Sequence, residues 1–299
     1  MDRGAGRQGG QIRRLVTAHL PGYRVRSIAR LAEGQENVAY EVNGELIVRF
    51  SKEPDPARRA ARVDREARLL AAVASISPLP VPEPELVAAE AGCLAYRKLP
   101  GLPLPDLPHQ QLAPRAAQVA AVLGTLLAAL HAVPVERLAG LVGTDNQPLA
   151  GWRDDAGRDY RDTASAVPAA RRGAIGTFLA APPPPGPGAL VFSHNDLGIE
   201  HVLADPRTWA LTGILDWGDA AITDPAYDIG LLYRDLGPAA LDAVIGGYPA
   251  GPADAAALRE RAVFYARCSA LEDLAYGLRT GQRTYADRSL AALGWLFPA

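Results

Sequence analysis

Two short apolar runs, each ending on an aspartate, restrict the fold of this chain more than any other feature. The first, Ala189–Phe192, opens into Ser193-His194-Asn195-Asp196, and the second, Leu211–Leu215, ends at Asp216. Apolar runs this short, bounded by turn residues, read as strands. Asp205-Pro206 between them marks a hairpin-sized turn. Paired strands bring their ends together, so the two carboxylates, with His194 and His201, can converge on one point. Upstream, the run Pro182–Gly188 admits neither helix nor ladder strand and sets the two apolar runs apart from the helical pattern before them. Such convergence suits phosphoryl transfer, which needs a carboxylate to orient and deprotonate a hydroxyl and ligands for magnesium on the phosphates. A metal-dependent hydrolase uses the same residue types, but needs more ligands than this segment supplies. Plain turn and strand-capping residues are the third reading.

The remaining pattern divides the chain. Gln11–Leu20 has amphipathic spacing and is closed by Pro21-Gly22. From Val25 to Phe50, short Val-, Ile- and Tyr-rich runs alternate with Glu33-Gly34 and Asn43-Gly44. Asn-Gly there predicts a tight two-residue hairpin. Ala57–Ala74 is helical by periodicity, and Leu86–Leu99 reads as two more strands. Gly101–Pro108 is a Pro-rich connector. Helices occupy 113–132, 158–180 and the chain beyond 225. The expectation is an α+β fold of two lobes: a small antiparallel-sheet lobe over 1–100, with 1–10 a loose tail, and a larger, mainly helical lobe over 101–299.

Composition narrows the function classes. A chain of 299 residues that is 48% hydrophobic has enough length for two cores. Two widely spaced cysteines give no disulfide framework, and a reducing cytoplasm is the expected compartment. The opening residues carry no charged segment followed by an apolar one, and the apolar run Ala116–Leu130 is short for a membrane span. Residues 1–100 hold 16 basic and 12 acidic groups, and residues 101–299 hold 15 and 21. A basic first part suits polyphosphate and an acidic second part suits a cation, although solvated faces account for the same asymmetry. Without a strong basic patch, nucleic acid is not an expected partner.

His194-Asn195-Asp196 with His201 five residues on, then Ile214-Leu215-Asp216-Trp217-Gly218 and Asp219–Asp228, resembles the catalytic and metal-binding loops of the aminoglycoside phosphotransferase family. That family belongs to the protein-kinase-like superfamily. The similarity is greatest to its aminoglycoside 2″- and macrolide-phosphotransferase branches, and it covers residues 30–299. The resemblance implies Asp196 as catalytic base, Asp216 as magnesium ligand, and His201 where most members carry a second, asparagine ligand. It implies structural support from His194 and Asp228. Glu33–Tyr40, including Gly34 and Asn37, resembles the nucleotide loop. Arg49 shares a strand face with Ile47 and falls where the family often has a phosphate-anchoring lysine, with Lys52 as its rival. Glu66 matches the glutamate that pairs with that cation. Ala95–Gly101, with Tyr96 and Lys98, resembles the hinge that holds the base.

The implied activity is transfer of the γ-phosphoryl of ATP or GTP, with Mg²⁺, to a hydroxyl of an aminoglycoside, giving antibiotic resistance. A macrolide, another hydroxylated natural product or a metabolite is the alternative acceptor, and a catalytically impaired binding module is the alternative of another class. Glu200, Asp235, Glu272 and Asp273 are candidate contacts for substrate ammonium groups. No membrane partner is expected, and the chain is expected to be a monomer or weak dimer.

Overall fold

A computed structural model describes residues 3–34 and 36–298. Met1, Asp2, Gln35 and Ala299 lie outside the described residues, so the Gln35 position of the predicted nucleotide loop is not described. Helix α1 (Arg3–His19) begins well inside the stretch expected to be a loose tail. Its residues Ile12 and Val16 are fully buried, which gives the helix a tertiary reason to form.

Alternation over 25–50 yields β1 (Ile28–Glu33), β2 (Asn37–Val42) and β3 (Leu46–Ser51). With β4 (Pro84–Ala88) and β5 (Cys93–Arg97) they form an antiparallel sheet in the order β1-β2-β3-β5-β4. The β2–β3 connection takes three residues, since Val42 pairs with Leu46, where a two-residue turn was expected. Asn43 and Gly44 both adopt positive φ, the conformation for which this pair is suited. The Asn43 side chain is also engaged elsewhere, accepting from the Arg26 and Ser27 amides and donating to the Arg24 carbonyl.

Strand parity decides what β3 buries. Leu46, Val48 and Phe50 join Ile12, Val16, Val42, Leu86, Cys93 and Ala95 in one apolar cluster. Ile47 and Arg49 take the other parity. Helix α2 (Pro56–Ala74) starts on Asp55, whose carboxylate accepts the Arg58 amide at 2.8 Å, with Pro56 in the first helical position. It buries Val63, Leu69, Leu70 and Val73.

Two compact units result. The first runs to Gly101 and also contains Thr212–Gly218; the second comprises Leu102–Leu211 and the chain from Asp219 onward. A single division near residue 100, as the sequence suggests, therefore puts the segment carrying Asp216 in the wrong unit. Its anchors explain the difference: the Ile214 amide donates to Pro80 O at 2.9 Å, and the Thr212 hydroxyl to Pro100 O at 2.6 Å.

The second unit is mainly helical. It pairs β6 (Leu102–Pro103) with β9 (Val202–Ala204), and sets β7 (Gly143–Thr144), β11 (Ala221–Thr223) and β8 (Val191–Ser193) side by side; β10 (Leu211–Ile214), which falls mostly in the first unit, leads to Asp216. Its helices include a short α3 (His109–Leu112) and α4 (Ala116–His131), which buries Val119, Leu123, Leu126, Leu127 and Leu130. The expected single helix over 158–180 is two, α5 (Leu149–Thr163) and α6 (Ala169–Ala180), because Pro168 cannot continue the hydrogen-bond ladder. Then come α7 (Ala226–Leu236), α8 (Pro238–Gly247), α9 (Pro252–Thr280) and α10 (Arg283–Leu296). A Cβ at Gly230 of α7 would lie 2.7 Å from the Ala262 carbonyl of α9, so only glycine permits this approach.

Candidate active site

In the first unit the predicted anion-binding residues meet. Arg49 Nη1 lies 2.9 Å from Glu66 Oε1, with side chains only 17% and 19% exposed. Burial alone would lower the Arg49 pKa, but Glu66, Tyr96 and Asp216 outweigh it and the pKa is raised. Arg49 therefore keeps its charge under the influence of two carboxylates of the same unit, Glu66 and Asp216. Burial pushes the Tyr96 hydroxyl up, against the nearby Arg49 charge. Lys52, the rival anchor, is occupied at the loop: it pairs with Glu33 at 2.7 Å and donates to Gly34 O at 2.9 Å. The Gly34 amide closes that loop on Asn37 O at 3.0 Å, and Arg62 pairs with Glu36. Lys98 pairs with Glu41. Asp216 takes a left-handed φ of 57°, an unusual conformation for a residue other than glycine. Such outliers persist only where the surroundings enforce them.

In the second unit the loop after β8 is held from below. Asp228, fully buried at the start of α7, accepts from the Ser193 hydroxyl at 2.5 Å, the Asn195 amide at 2.9 Å and the Leu197 amide at 3.0 Å. Three donors on one carboxylate fix the backbone on both sides of Asp196 and hold Asn195 at a φ of 62°. Asp196 itself is 45% exposed, and His201 Nε2 lies 3.2 Å from its Oδ2. His194 is buried, its ring stacked 6.0 Å from that of His201.

The four acids proposed as ammonium contacts do not behave alike. Asp235 is 3% exposed, bound by Arg234 at 2.7 Å and Arg288 at 3.2 Å, and accepts the Ile199 amide. Burial works against its ionisation, yet the two arginines hold its pKa low. Its oxygens are thus engaged within the protein, where the sequence reading proposed a contact for a substrate ammonium group. Glu200 pairs with Arg288 at 2.9 Å and Asp273 with Arg234 at 2.8 Å, so both belong to the same network. Asp273 is nevertheless pushed up to about 6 by burial, with Asp235 and Glu200 adding to it against Arg234. Glu272 is different. Solvent reaches it, yet burial raises its pKa, Asp273 and Asp159 raise it further, Arg234 opposes, and Asp196 adds.

Sequence reasoning missed several residues here. Asp224 accepts Arg261 Nε through both oxygens at 3.2 and 2.9 Å, and also takes the Ala226 amide and the Tyr265 hydroxyl. Asn195 Nδ2 donates to Asp145 at 3.3 Å. Trp152, Tyr227 and Tyr265 pack with ring centroids 5.2–5.6 Å apart and line a cavity of about 150 Å³ with Asp145 and Leu149. His131, at the end of α4, joins Ser193 and Tyr248. An ionisable residue closing the most apolar helix was the one visible signal for the last of these.

No cluster of three or more His, Cys, Asp or Glu side chains among the described residues forms a metal cage. Mg²⁺ does not require one, because it is bound through one or two carboxylates with substrate phosphates and water. Asp216 carries a carboxylate close enough to the Arg49 cation to raise its pKa. His201 offers a nitrogen already hydrogen-bonded to Asp196.

The model of the APH phosphotransferase enzyme family matches residues 27–264. Among solved structures, the GDP and kanamycin complex of APH(2″)-IIIa is 22% identical, covering 95% of this chain and 97% of that one with a TM-score of 0.66. The macrolide 2′-phosphotransferase MphH from Brachybacterium faecium is 25% identical, covering 95% and 97%, with a TM-score of 0.63. The streptomycin–ATP ternary complex of APH(2″)-IIa is 15% identical over 97% and 96%, with a TM-score of 0.61. A search of curated protein sequences found no match. The family match spans both units and every predicted catalytic position, so the chain belongs to the phosphotransferase enzyme family and is a phosphotransferase with an alcohol group as acceptor.

Proposed function

We propose that this chain transfers the γ-phosphoryl of ATP or GTP to a hydroxyl of an aminoglycoside in the cytoplasm. The observation that carries the acceptor class is the surround of Glu272. Its solvent-reached carboxyl feels Asp273, Asp159 and Asp196 at once, with Arg234 as the opposing charge. Negative potential raises the local concentration of cations, and an aminoglycoside is a polycation.

The residues divide the work. Asp196 orients the acceptor hydroxyl and takes its proton as that oxygen bonds to phosphorus and the bridging oxygen leaves with the nucleoside diphosphate. The hydrogen bond from His201 restrains the Asp196 carboxylate, and Asp228 holds the loop that carries it. Arg49, braced by Glu66, grips phosphate oxygens; a guanidinium does this with two donors at once. Asp216 would hold a Mg²⁺ ion, which would supply charge neutralisation at the nucleotide. Loose transition states leave the protein mainly placement and charge stabilisation to provide.

A second reading takes a macrolide as the acceptor, supported by the likeness to macrolide 2′-phosphotransferases. Incubating the chain with ATP or GTP and a panel of kanamycin, gentamicin, streptomycin and macrolides separates the two. The proposal predicts a mass gain of one phosphoryl group on an aminoglycoside; product on macrolides alone would transfer the assignment to the second reading.

A further inference from the structure

We infer that His131 and Tyr248 are positioning residues for phosphoryl transfer, linked through Ser193 to the carboxylate that shapes the catalytic loop. The link is continuous. Tyr248 Oη lies 2.6 Å from His131 Nδ1, His131 Nε2 lies 3.0 Å from Ser193 Oγ, and Ser193 Oγ lies 2.5 Å from Asp228 Oδ2. Asp228 then accepts the Asn195 and Leu197 amides, which flank Asp196.

Two backbone protons set the direction of every other proton in this chain of bonds. The Asn195 and Leu197 N–H groups cannot accept, so each Asp228 oxygen already serves as an acceptor. The Ser193 hydroxyl donates its only proton to Oδ2, which leaves its lone pairs to receive a donor. His131 therefore carries its proton on Nε2 and donates it to Ser193. Its Nδ1 is then an acceptor, and Tyr248 donates to it. Burial pushes the His131 ring down to about 3, so the ring is neutral at working pH. Burial, with the Asp224 charge, pushes the Tyr248 hydroxyl up to about 12, so that proton stays in place.

The elements holding this relay are rigid. His131 is the last residue of α4, and Tyr248 directly follows α8. The two helices approach closely, since a Cβ at Gly124 would lie 3.4 Å from the Val244 Cα. Ser193 ends β8 and pairs with Ala221 of β11. Bonds aligned donor to acceptor polarise one another in a low-dielectric interior. The α4–α8 pair thus sets where Ser193 points, and Ser193 sets how firmly Asp228 holds the loop around Asp196. Small misplacements far from the reacting atoms cost as much as 100-fold in rate.

The kinetic arm of the test rests on the function proposed above; the exchange arm does not. His131→Gln keeps a donor for Ser193, whereas His131→Leu fills similar space without one, and Tyr248→Phe removes the first donor. Amide hydrogen exchange of Asn195 and Leu197 in the chain alone is expected to accelerate about tenfold in His131→Leu, with the melting temperature of His131→Gln and His131→Leu matched and protection retained in His131→Gln. Nitrogen-15 NMR is expected to find the His131 proton on Nε2 from pH 5 to 8. With kanamycin and ATP or GTP, kcat is expected to fall about 10–100-fold in His131→Leu while both KM values stay unchanged. Unchanged exchange in His131→Leu, or a proton on Nδ1, overturns the inference. Asp196→Asn, assayed in parallel, tests the function by itself: full activity there refutes that proposal and leaves the exchange result to decide the relay.

Discussion

Substituting Arg261 by methionine removes one partner of a deeply enclosed ion pair in the helical unit, and the cost follows from its geometry. Asp224 and Arg261 side chains are 4% and 10% exposed, and Arg261 Nε reaches both carboxylate oxygens. Methionine fills the space but leaves a buried carboxylate with only the Ala226 amide and the Tyr265 hydroxyl to stabilise it. Breaking a buried pair from one side costs about 3–5 kcal/mol. For a unit of roughly 190 residues, each kcal/mol shifts the melting temperature by about 2–4 °C, so Arg261→Met should melt about 6–20 °C lower. Asp224→Asn with Arg261→Met removes both charges, and Asn can still accept the Ala226 amide at the start of α7. The double variant should recover most of the loss, since a neutral packed replacement for a buried pair is often neutral or stabilising. Scanning calorimetry of the single and double variants gives the coupling. A loss under about 2 °C for Arg261→Met, or a double variant as unstable as the single, would refute the argument.

Asp273 gives a pH test. Its folded pKa, about 6, is above that of an exposed aspartate, so its contribution is fully present below the unfolded value and is lost as pH rises through 6. Asp273→Asn should therefore match the wild type below about pH 4 and become relatively more stable from about pH 4 to 6, read as the difference in melting temperature against pH; a constant difference contradicts the assigned environment. Arg49→Ala should raise the nucleotide KM about 10–100-fold, the loss of about 1.5–3 kcal/mol of charge-assisted bonding, with the acceptor KM unchanged. An equal effect from Lys52→Ala would move the phosphate anchor to the loop.

The sheet unit was legible because its signals are local. Period-two alternation across 25–50 defined the strands, and parity on β3 separated Arg49 from Val48 and Phe50, which join the apolar cluster. The three-residue hairpin was not legible, because the Asn43 side chain is bonded to residues that precede β1. The partners of the acids in the helical unit were not legible for a related reason. Glu200 meets Arg288 across 88 positions of sequence, and a charge pattern along one helix carries no trace of such a partner. Asp235, a candidate ammonium contact by sequence, is met by two arginines, one from α7 and one from α10. The relay through His131 was hidden because it joins α4, α8 and β8, three elements with no shared pattern.

The proposed function divides the labour, with Asp196 moving the acceptor proton and Asp216 serving the metal-bound nucleotide. Titrating Mg·ATP and Mg·GTP into Asp196→Asn and Asp216→Asn, and following single-turnover transfer to the acceptor in each, tests it directly. The account predicts that Asp196→Asn binds nucleotide as the wild type does but transfers about 10²–10⁴-fold more slowly, whereas Asp216→Asn loses Mg²⁺-dependent nucleotide binding. Wild-type transfer by Asp196→Asn, or undiminished Mg²⁺ dependence in Asp216→Asn, would contradict it.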